Sequence, residues 1–305
     1  MKGRDFLTLG DFSAEELWAI MKEALRLEQL GGSVSEILKG KFLVLIFQKP
    51  STRTRISFEA AIKQLGGECV SLGWSEMQLG RGETIADTAR TLDRYADGIV
   101  ARVFSHGHLV EMAEYAAIPV VNALSDLYHP CQALSDFLTI YKKLGKLEGV
   151  KLAWIGDGDN VCHSLLLGCS KLGVDMSVAS PPGFEPKGEV LQAAQRESRK
   201  SGCKIEVVRE PEAAVRGADI IYTDTFISMG LDEERQRRLQ AFLPKYQVTL
   251  KLLQLANPDC LFMHCLPAHR GEEVVDEVLD GPHSIVWFQA ENRMHLQRGL
   301  LSLLI

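Results

Sequence analysis

What most limits the folds open to this chain is a repeated alternation. Short, nearly continuous apolar runs are separated by amphipathic stretches at helical spacing. "KFLVLIF" (41–47), "ECVSLG" (68–73), "IVARVF" (99–104) and "IPVVNAL" (118–124) form a first series of strand-like runs. "VKLAWIG" (150–156), "VDMSVASP" (174–181), "KIEVVRE" (204–210), "ADIIYTDTF" (218–226) and "CLFMHCLP" (260–267) form a second. Apolar strands divided by helices are the pattern of parallel sheets covered on both faces. Two series in 305 residues, more than one core usually serves, predict two domains. The expected fold is α/β, with two doubly wound parallel-sheet domains joined by long helices. The division is expected within the helix over about 130–146, giving domains 1–135 and 136–290. The C-terminal helix, 291–305, is expected to pack back on the first domain.

The helices carry their own punctuation. "FSAEELWAIMKEALRLEQL" opens with Ser13 and Glu16 in capping-box spacing, and "RTRISFEAAIKQLGG" ends on glycine. "ETIADTARTLDRYADG" is a third helix, and "PCQALSDFLTIYKKLG" has proline in its first turn and glycine at its end. "LDEERQRRLQAFLPKYQ" (231–247) is long and charged for a connection, as lids and binding loops often are, and a short extra surface helix is the alternative.

Composition narrows the function classes. The net charge of −6, from 34 basic and 40 acidic residues, argues against a general nucleic-acid surface while leaving room for a local basic pocket. "FLVLIF" is too short to span a bilayer, "GLLSLLI" reads as the end of a docked helix, and Asp5 and Asp11 sit badly in a targeting peptide. A cytoplasmic protein without a membrane partner is expected. The seven cysteines include no CxxC pair, so neither a disulfide framework nor a zinc site is expected, and most read as small buried hydrophobes.

Five junctions could carry chemistry. After "KFLVLIF" the chain runs through Pro50 into Ser51, Thr52, Arg53, Thr54 and Arg55, at a helix start. Free backbone N–H groups, hydroxyls and guanidinium groups there suit an anion such as phosphate. The alternative is that Ser51 merely caps the helix while the arginines pair with nearby acids. "YHPCQ" (128–132) repeats the arrangement, with Pro130 at the first helical position, His129 at its mouth and Gln132 one turn in. In "MHCLPAHRGEE" (263–273), His264 and Cys265 are adjacent on a strand and so face opposite ways, which argues against a Cys–His catalytic pair. Their place at a strand's C-terminal end is where α/β sheets put ligands. In "TDTFISMG" (223–230), Asp224 either pairs with an ammonium or caps a helix, with Ser228 four residues on. "QAENR" (289–293) sets Arg293 at a fifth strand-to-helix passage. "WIGDGDNV" is not a dinucleotide fingerprint: Val161 replaces the third glycine, Asp157 and Asp159 would face a pyrophosphate, and the next strand lacks a terminal acid. Asn160 there could address a zwitterion's carboxylate.

Taken in order, "STRTR", "HPCQ", "DTFISMG" and "HCLP" resemble the aspartate/ornithine carbamoyltransferase family over essentially the whole chain. The "SMG" and "HCLP" motifs resemble the members that act on ornithine. The resemblance implies that Ser51, Thr52, Arg53 and Thr54 hold the phosphate of carbamoyl phosphate. Arg102 would reach phosphate and carbonyl, and His129 and Gln132, on the "HPCQ" turn with Pro130 and Cys131, the carbamoyl group. Leu266 through its backbone, Cys265 and Arg293 would complete that pocket. Gln78 matches a loop residue that enters a neighbouring subunit's site, implying a homotrimer or a multiple of trimers. Asn160, Asp224, Ser228 and Met229 match the L-ornithine site, with Cys265 near the side-chain amine. Arg102, His129, Asp224 and Cys265 are then the catalytic candidates, and neither a metal nor an organic cofactor is required. The rivals are another acceptor (aspartate, putrescine or an acylated ornithine), a non-catalytic anion or amino-acid sensor, and a nicotinamide-binding dehydrogenase. Asp224 argues against aspartate, because it would repel an acidic acceptor.

Overall fold

In the computed structural model, which describes residues 1–31, 35–228 and 232–305, the chain divides into two units. The first comprises Met1–Leu138 and Glu291–Ile305, the second Thr139–Ala290.

The first unit is built on strands β1 (Phe42–Phe47), β2 (Glu68–Gly73), β3 (Gly98–Arg102) and β4 (Val120–Leu124). They lie in the order β2-β1-β3-β4, all parallel. Helices α1 (Ala14–Gln29), α2 (Arg53–Gln64), α3 (Ile85–Leu92) and α4 (His106–Tyr115) accompany them, and α5 (Pro130–Leu144) leads into the second unit. The Ser13–Glu16 capping box of α1 forms in both directions: Glu16 N donates to Ser13 Oγ (3.2 Å), and Ser13 N donates to the Glu16 carboxylate (2.9 Å). Val44, Ile46, Ile99, Ala101 and Val120 fill one core on this sheet.

The second unit carries β5 (Lys151–Ile155), β6 (Asp175–Ala179), β7 (Ile205–Val208), β8 (Ile220–Thr223) and β9 (Leu261–His264). Their order is β7-β6-β5-β8-β9, again all parallel. Its helices are α6 (Asn160–Leu172), α7 (Gly188–Ser201), α8 (Pro211–Val215), α9 (Arg235–Phe242), α10 (Leu250–Leu253) and α11 (Asp276–Leu279). Its core gathers Ile155, Ile221, Phe226, Phe242 and Phe262, and fully burying each such side chain contributes about 2 kcal/mol.

Helix α12 (Val286–Leu304) returns the chain to the first unit. Gly299 permits its approach to α1: a Cβ there would stand 2.6 Å from Ala24 N and 2.7 Å from Ile20 O. Arg298, buried beside it, donates to Leu27 O (3.0 Å). The segment read from sequence as a charged connection contains α9, with Arg238 and Phe242 buried, so its helical reading is the one realised. Arg293 lies inside α12, about two turns from its start, rather than at a strand-to-helix passage, because residues 286–290 are already helical. Among the described residues, no helix is long and apolar enough to cross a membrane.

Each sheet has one switch point, where the strand order reverses: between β1 and β3 in the first, between β5 and β8 in the second. Crevices at the carboxyl ends of strands flanking such a point are where open α/β sheets bind ligands.

Candidate active site

The first switch point collects the cationic residues. Strand β1 runs directly into the Ser51–Thr54 turn, and Ser51 Oγ accepts from Thr54 N (3.2 Å) at the start of α2. Ser51 therefore does cap the helix. Of the two arginines in this turn, Arg55 takes the local role, donating to Glu59 at 3.0 Å. Arg53 has neither an ion pair nor a side-chain hydrogen bond among the described residues. Beside β1, β3 ends on Arg102, where its register with β4 shifts between Ala101 and Arg102. Irregularities of this kind re-aim a side chain at the rim of a sheet. Gln48 N donates to Arg102 O (2.8 Å) and Gln48 Oε1 accepts from Phe104 N (2.8 Å), which ties the two strand ends together.

After β4, Ser125 and Tyr128 close a turn through Ser125 N to Tyr128 O (2.9 Å) and Tyr128 N to Ser125 Oγ (3.1 Å). Pro130 then opens α5, and the His129 carbonyl accepts from Ala133 N (3.1 Å). His129 is buried, and burial, then the charges of Arg293 and Arg102, hold its pKa well below the ordinary histidine value. The ring is therefore neutral at pH 7. Arg293, on α12, donates to Thr54 Oγ1 (2.8 Å), and both groups are buried. Because the guanidinium can only donate, Thr54 accepts from it and keeps its own hydroxyl proton for another acceptor. Gln132 Nε2 donates to Asp136 Oδ1 (2.8 Å), while its Oε1 has no partner among the described residues. Cys131 points its sulfur at Asn122 O (3.4 Å), and burial, partly opposed by Arg293, pushes its thiol up to about 12. Any ligand contact at Cys131 has to come from its backbone.

The second switch point collects acids instead. Asp157 and Asp159 follow β5, Asn160 opens α6, and Asp224 follows β8. Ser228 Oγ donates to Asp159 Oδ2 (3.3 Å), and Asp224 Oδ1 accepts from Thr225 N (2.7 Å). Burial, with the charges of Asp224 and Asp157 added, pushes Asp159 well above the usual carboxylate range. Asp157 is also raised by burial, although Arg238 donates to it at 2.5 Å.

Strand β9 brings a third group to this edge, paired so that Thr223 faces His264. One ligand atom each from Asp224, His264 and Cys265 all lie within 4.8 Å of one another. Such a trio could in principle hold a cation, but the His264 ring is already committed. Its Nδ1 accepts from Leu266 N (2.8 Å), so Nε2 carries the proton and faces the buried Glu273 carboxylate (3.1 Å). The same bond supports Leu266 at φ +60, a left-handed conformation unusual for leucine. His264 N donates to Gln289 Oε1 (3.0 Å), which in turn donates through Nε2 to Tyr222 Oη (2.9 Å).

Of the residues singled out from sequence, Ser51, Thr52, Arg53, Thr54, Arg102, His129, Pro130, Cys131, Gln132 and Arg293 all fall in the first unit. Asn160, Asp224, Ser228, Cys265 and Leu266 fall in the second. Gln78 is exposed and starts a 3₁₀ turn, Gln78–Arg81, whose Leu79 is buried, well along the chain from both strand-end clusters. Met229 lies outside the described residues. Sequence reasoning missed Arg238 and the His264–Glu273 pair. The first joins segments 81 residues apart, hinted at only by an unusual density of arginines at 235–238, whereas the second pair lies nine residues apart within one quoted stretch and carries no local pattern.

Residues 4–142 match the family model described as aspartate/ornithine carbamoyltransferase, carbamoyl-P binding domain, and residues 148–304 match that family's Asp/Orn binding domain. The anabolic ornithine carbamoyltransferase of Pyrococcus furiosus is 50% identical over 307 residues, covering 100% of this chain and 97% of that protein. The ornithine carbamoyltransferase of Bacillus subtilis is 51% identical over 303 residues, covering 99% and 94%. Among solved structures, the Pyrococcus furiosus enzyme superposes with a TM-score of 0.95 at 50% identity, covering 99% of this chain and 97% of that one. The anabolic enzyme of Campylobacter jejuni gives 0.92 at 38% identity, covering 98% and 97%. With both domains matched in order and half of the residues shared along the full length, the chain belongs to the aspartate/ornithine carbamoyltransferase family.

Proposed function

We propose that the chain is a cytoplasmic ornithine carbamoyltransferase, which moves the carbamoyl group of carbamoyl phosphate to the side-chain amine of L-ornithine and releases L-citrulline and phosphate. The observation that carries this reading is the opposite charge of the two switch points. One presents Arg53 and a neutral His129 at helix beginnings, with Arg102 at the end of β3 and Arg293 within α12; the other presents Asp224 beside Cys265, with Asp159 and Ser228. The first suits a dianionic phosphate and a polarised carbonyl, the second an acceptor bearing ammonium groups.

In the proposed reaction the phosphate sits in the turn of Ser51, Thr52, Arg53 and Thr54, over the start of α2. Arg102, His129 and the Thr54 hydroxyl donate to the carbonyl oxygen. Gln132 Oε1 and the Leu266 carbonyl accept from the carbamoyl N–H groups, and Arg293 holds Thr54 in place. Asn160, Ser228 and Met229 hold the amino-acid end of ornithine, and Asp224 and Cys265 engage its amines. The neutral side-chain amine attacks the carbamoyl carbon and the negative charge moves onto the carbonyl oxygen. Collapse of that adduct breaks the carbon–oxygen bond to phosphate, and the amine's surplus proton leaves with the phosphate or to Asp224. A neutral His129 can fill this role, because the neutral imidazole keeps one ring N–H to donate to the oxygen. Each well-aimed donor to a developing oxyanion supplies about 3 kcal/mol. The Cys131 thiol has no part in this chemistry.

A citrulline assay with carbamoyl phosphate and ornithine tests the reading. Aspartate, putrescine and N-acetylornithine run as rival acceptors, and nicotinamide binding as the rival cofactor test. Citrulline formation with ornithine preferred is expected, whereas preference for a rival acceptor overturns the assignment. The proposed assembly is a homotrimer in which Gln78 enters the neighbouring subunit's pocket. Mixing Arg53→Ala and Gln78→Ala chains after dissociation should regenerate activity in hybrid trimers, because some pockets then receive both native residues. Hybrids no more active than their parents would rule the shared pocket out.

A further inference from the structure

Arg238 belongs to none of the family's motifs, yet it is the most heavily engaged arginine near the acidic switch point. It projects from α9, is almost fully buried, and its Nη1 donates twice, to Asp157 Oδ2 (2.5 Å) and to the carbonyl of Phe226 (3.0 Å). Its Nε donates to Glu234 (3.3 Å), and its guanidinium lies over the Phe184 ring, 5.1 Å from the centroid.

Those partners belong to the two loops that frame the proposed ornithine site. Asp157 sits in the turn after β5 that leads to Asp159 and Asn160, and the Trp154 indole donates to its carbonyl (3.0 Å). Gly158, in the same turn, has no space for a side chain, since a Cβ would lie 2.2 Å from Pro186 N. Phe226 lies midway between Asp224 and Ser228 and stacks on Phe242 of α9, with centroids 4.4 Å apart. One nitrogen of Arg238 thus clamps the 157–160 turn to the 224–228 segment, and the aromatic cluster of Phe184, Phe226 and Phe242 backs the clamp.

We propose that Arg238 is a positioning residue for the acceptor: by bridging Asp157 and the Phe226 carbonyl it sets the spacing between Asn160 and the Asp224–Ser228 pair that reads the amino-acid end of ornithine. This inference rests on the functional reading above. Of the three neighbouring carboxyl groups Arg238 pairs with Asp157, which leaves Asp224 to face a cationic acceptor, while Asp159 accepts from Ser228. Lysine is a poor replacement, since a single ammonium lacks the flat fork that reaches an acid and a carbonyl while stacking on a ring.

The test is steady-state kinetics of wild type, Arg238→Gln, Arg238→Lys and Asp157→Asn, each substrate varied in turn, with the melting temperature recorded for each. Arg238→Gln is expected to raise the ornithine KM by about tenfold or more, leaving the carbamoyl phosphate KM within about twofold and kcat within about threefold. Arg238→Lys should fall between it and wild type, and Asp157→Asn should raise the ornithine KM in the same selective way. A general loss of structure would move both KM values together and lower kcat, and that pattern overturns the proposal, as does a folded Arg238→Gln with wild-type ornithine KM. If Arg238→Gln does not fold, Asp157→Asn decides: an unchanged ornithine KM sinks the clamp. A wild-type protein that makes no citrulline overturns the functional reading and this inference with it, whereas an active wild type with unaltered variants overturns this inference alone.

Discussion

The two units solve one architectural problem with opposite chemistry. Both are parallel sheets with a reversal in strand order, and both place their polar residues just beyond the strands that flank it. In the first, β1 and β3 lead to Arg53 and Arg102; in the second, β5 and β8 lead to Asp157, Asp159 and Asp224. The backbone supplies the same opening and the same helix beginnings in each. The difference teaches that the fold fixes where a ligand sits, whereas a handful of strand-end side chains fixes the sign of the charge it carries. In the second unit the acids lie at a helix beginning that by its dipole prefers an anion. The zwitterion of the proposed reaction would reconcile the two, with its carboxylate toward the start of α6 and its ammonium groups toward the acids.

The comparison breaks most readily on the cationic side. Arg53→Ala removes a charge at the helix start that no described residue pairs with, so little folding stability should go with it. Its carbamoyl phosphate kcat/KM is expected to fall by roughly 10³-fold, in line with about 4 kcal/mol for a charge-assisted contact to a developing anion. Arg102→Ala should match it in activity and also lower the melting temperature, because Arg102 is buried in its own sheet. Unchanged carbamoyl phosphate kinetics in Arg53→Ala would remove the anion from this switch point.

A smaller effect tests the acidic side. Asp224→Asn keeps the shape and removes the charge, and should lower ornithine kcat/KM by roughly 10²-fold while leaving the carbamoyl phosphate KM within about twofold. Cys265→Ala should cost less, about tenfold, and displace the pH profile of ornithine use, since the thiol lies in the same group of side chains as Asp224. An Asp224→Asn enzyme that loses both substrates equally would mean that the acid shapes the sheet edge rather than reading the acceptor.

The periodic features are legible in the amino-acid sequence. Eight of the nine strands among the described residues fall wholly within the apolar runs, and β3 starts one residue before its run, because a strand buried on both faces has a composition that little else shares. The strand-end residues Arg53, His129 and Asp224 are legible for a related reason: polar residues at a strand's end, beside a helix start, have a local pattern. What escapes are couplings across the sequence. Arg293 stands out, but its bond to Thr54, 239 residues away, does not, and its place within α12 is misjudged because "SIVWFQ" reads as easily as a strand. Arg238 looks like one more charge on a solvated helix, and only its burial against Phe184 and Asp157 sets it apart. The bland and the sharp readings of the 51–55 turn prove compatible, with Ser51 capping and Arg55 pairing while Arg53 stays uncommitted.

The finest test uses pH, because each unit buries one group in the form that its surroundings prefer. His129 is held well below its ordinary pKa, so between that depressed value and about 6.5 the unfolded chain binds a proton that the folded one refuses. Stability contributed at this position is therefore present at neutral pH and lost as pH falls below about 6.5. Asp159 is the mirror image. Its carboxyl is held well above the ordinary range, so the unfolded chain releases a proton that the folded one keeps, and stability falls as pH rises through about 3.8 toward the folded value. His129→Gln should consequently gain melting temperature relative to wild type at pH 5 more than at pH 8. Asp159→Asn should do the reverse, gaining most at pH 8 and progressively less toward pH 4. Opposite slopes in two otherwise matched melting series would tie the sign of each switch point to these two side chains. Parallel slopes would mean that Asp159 is ionised in the folded protein rather than keeping its proton, and the contrast between the units would then reduce to the cationic side alone.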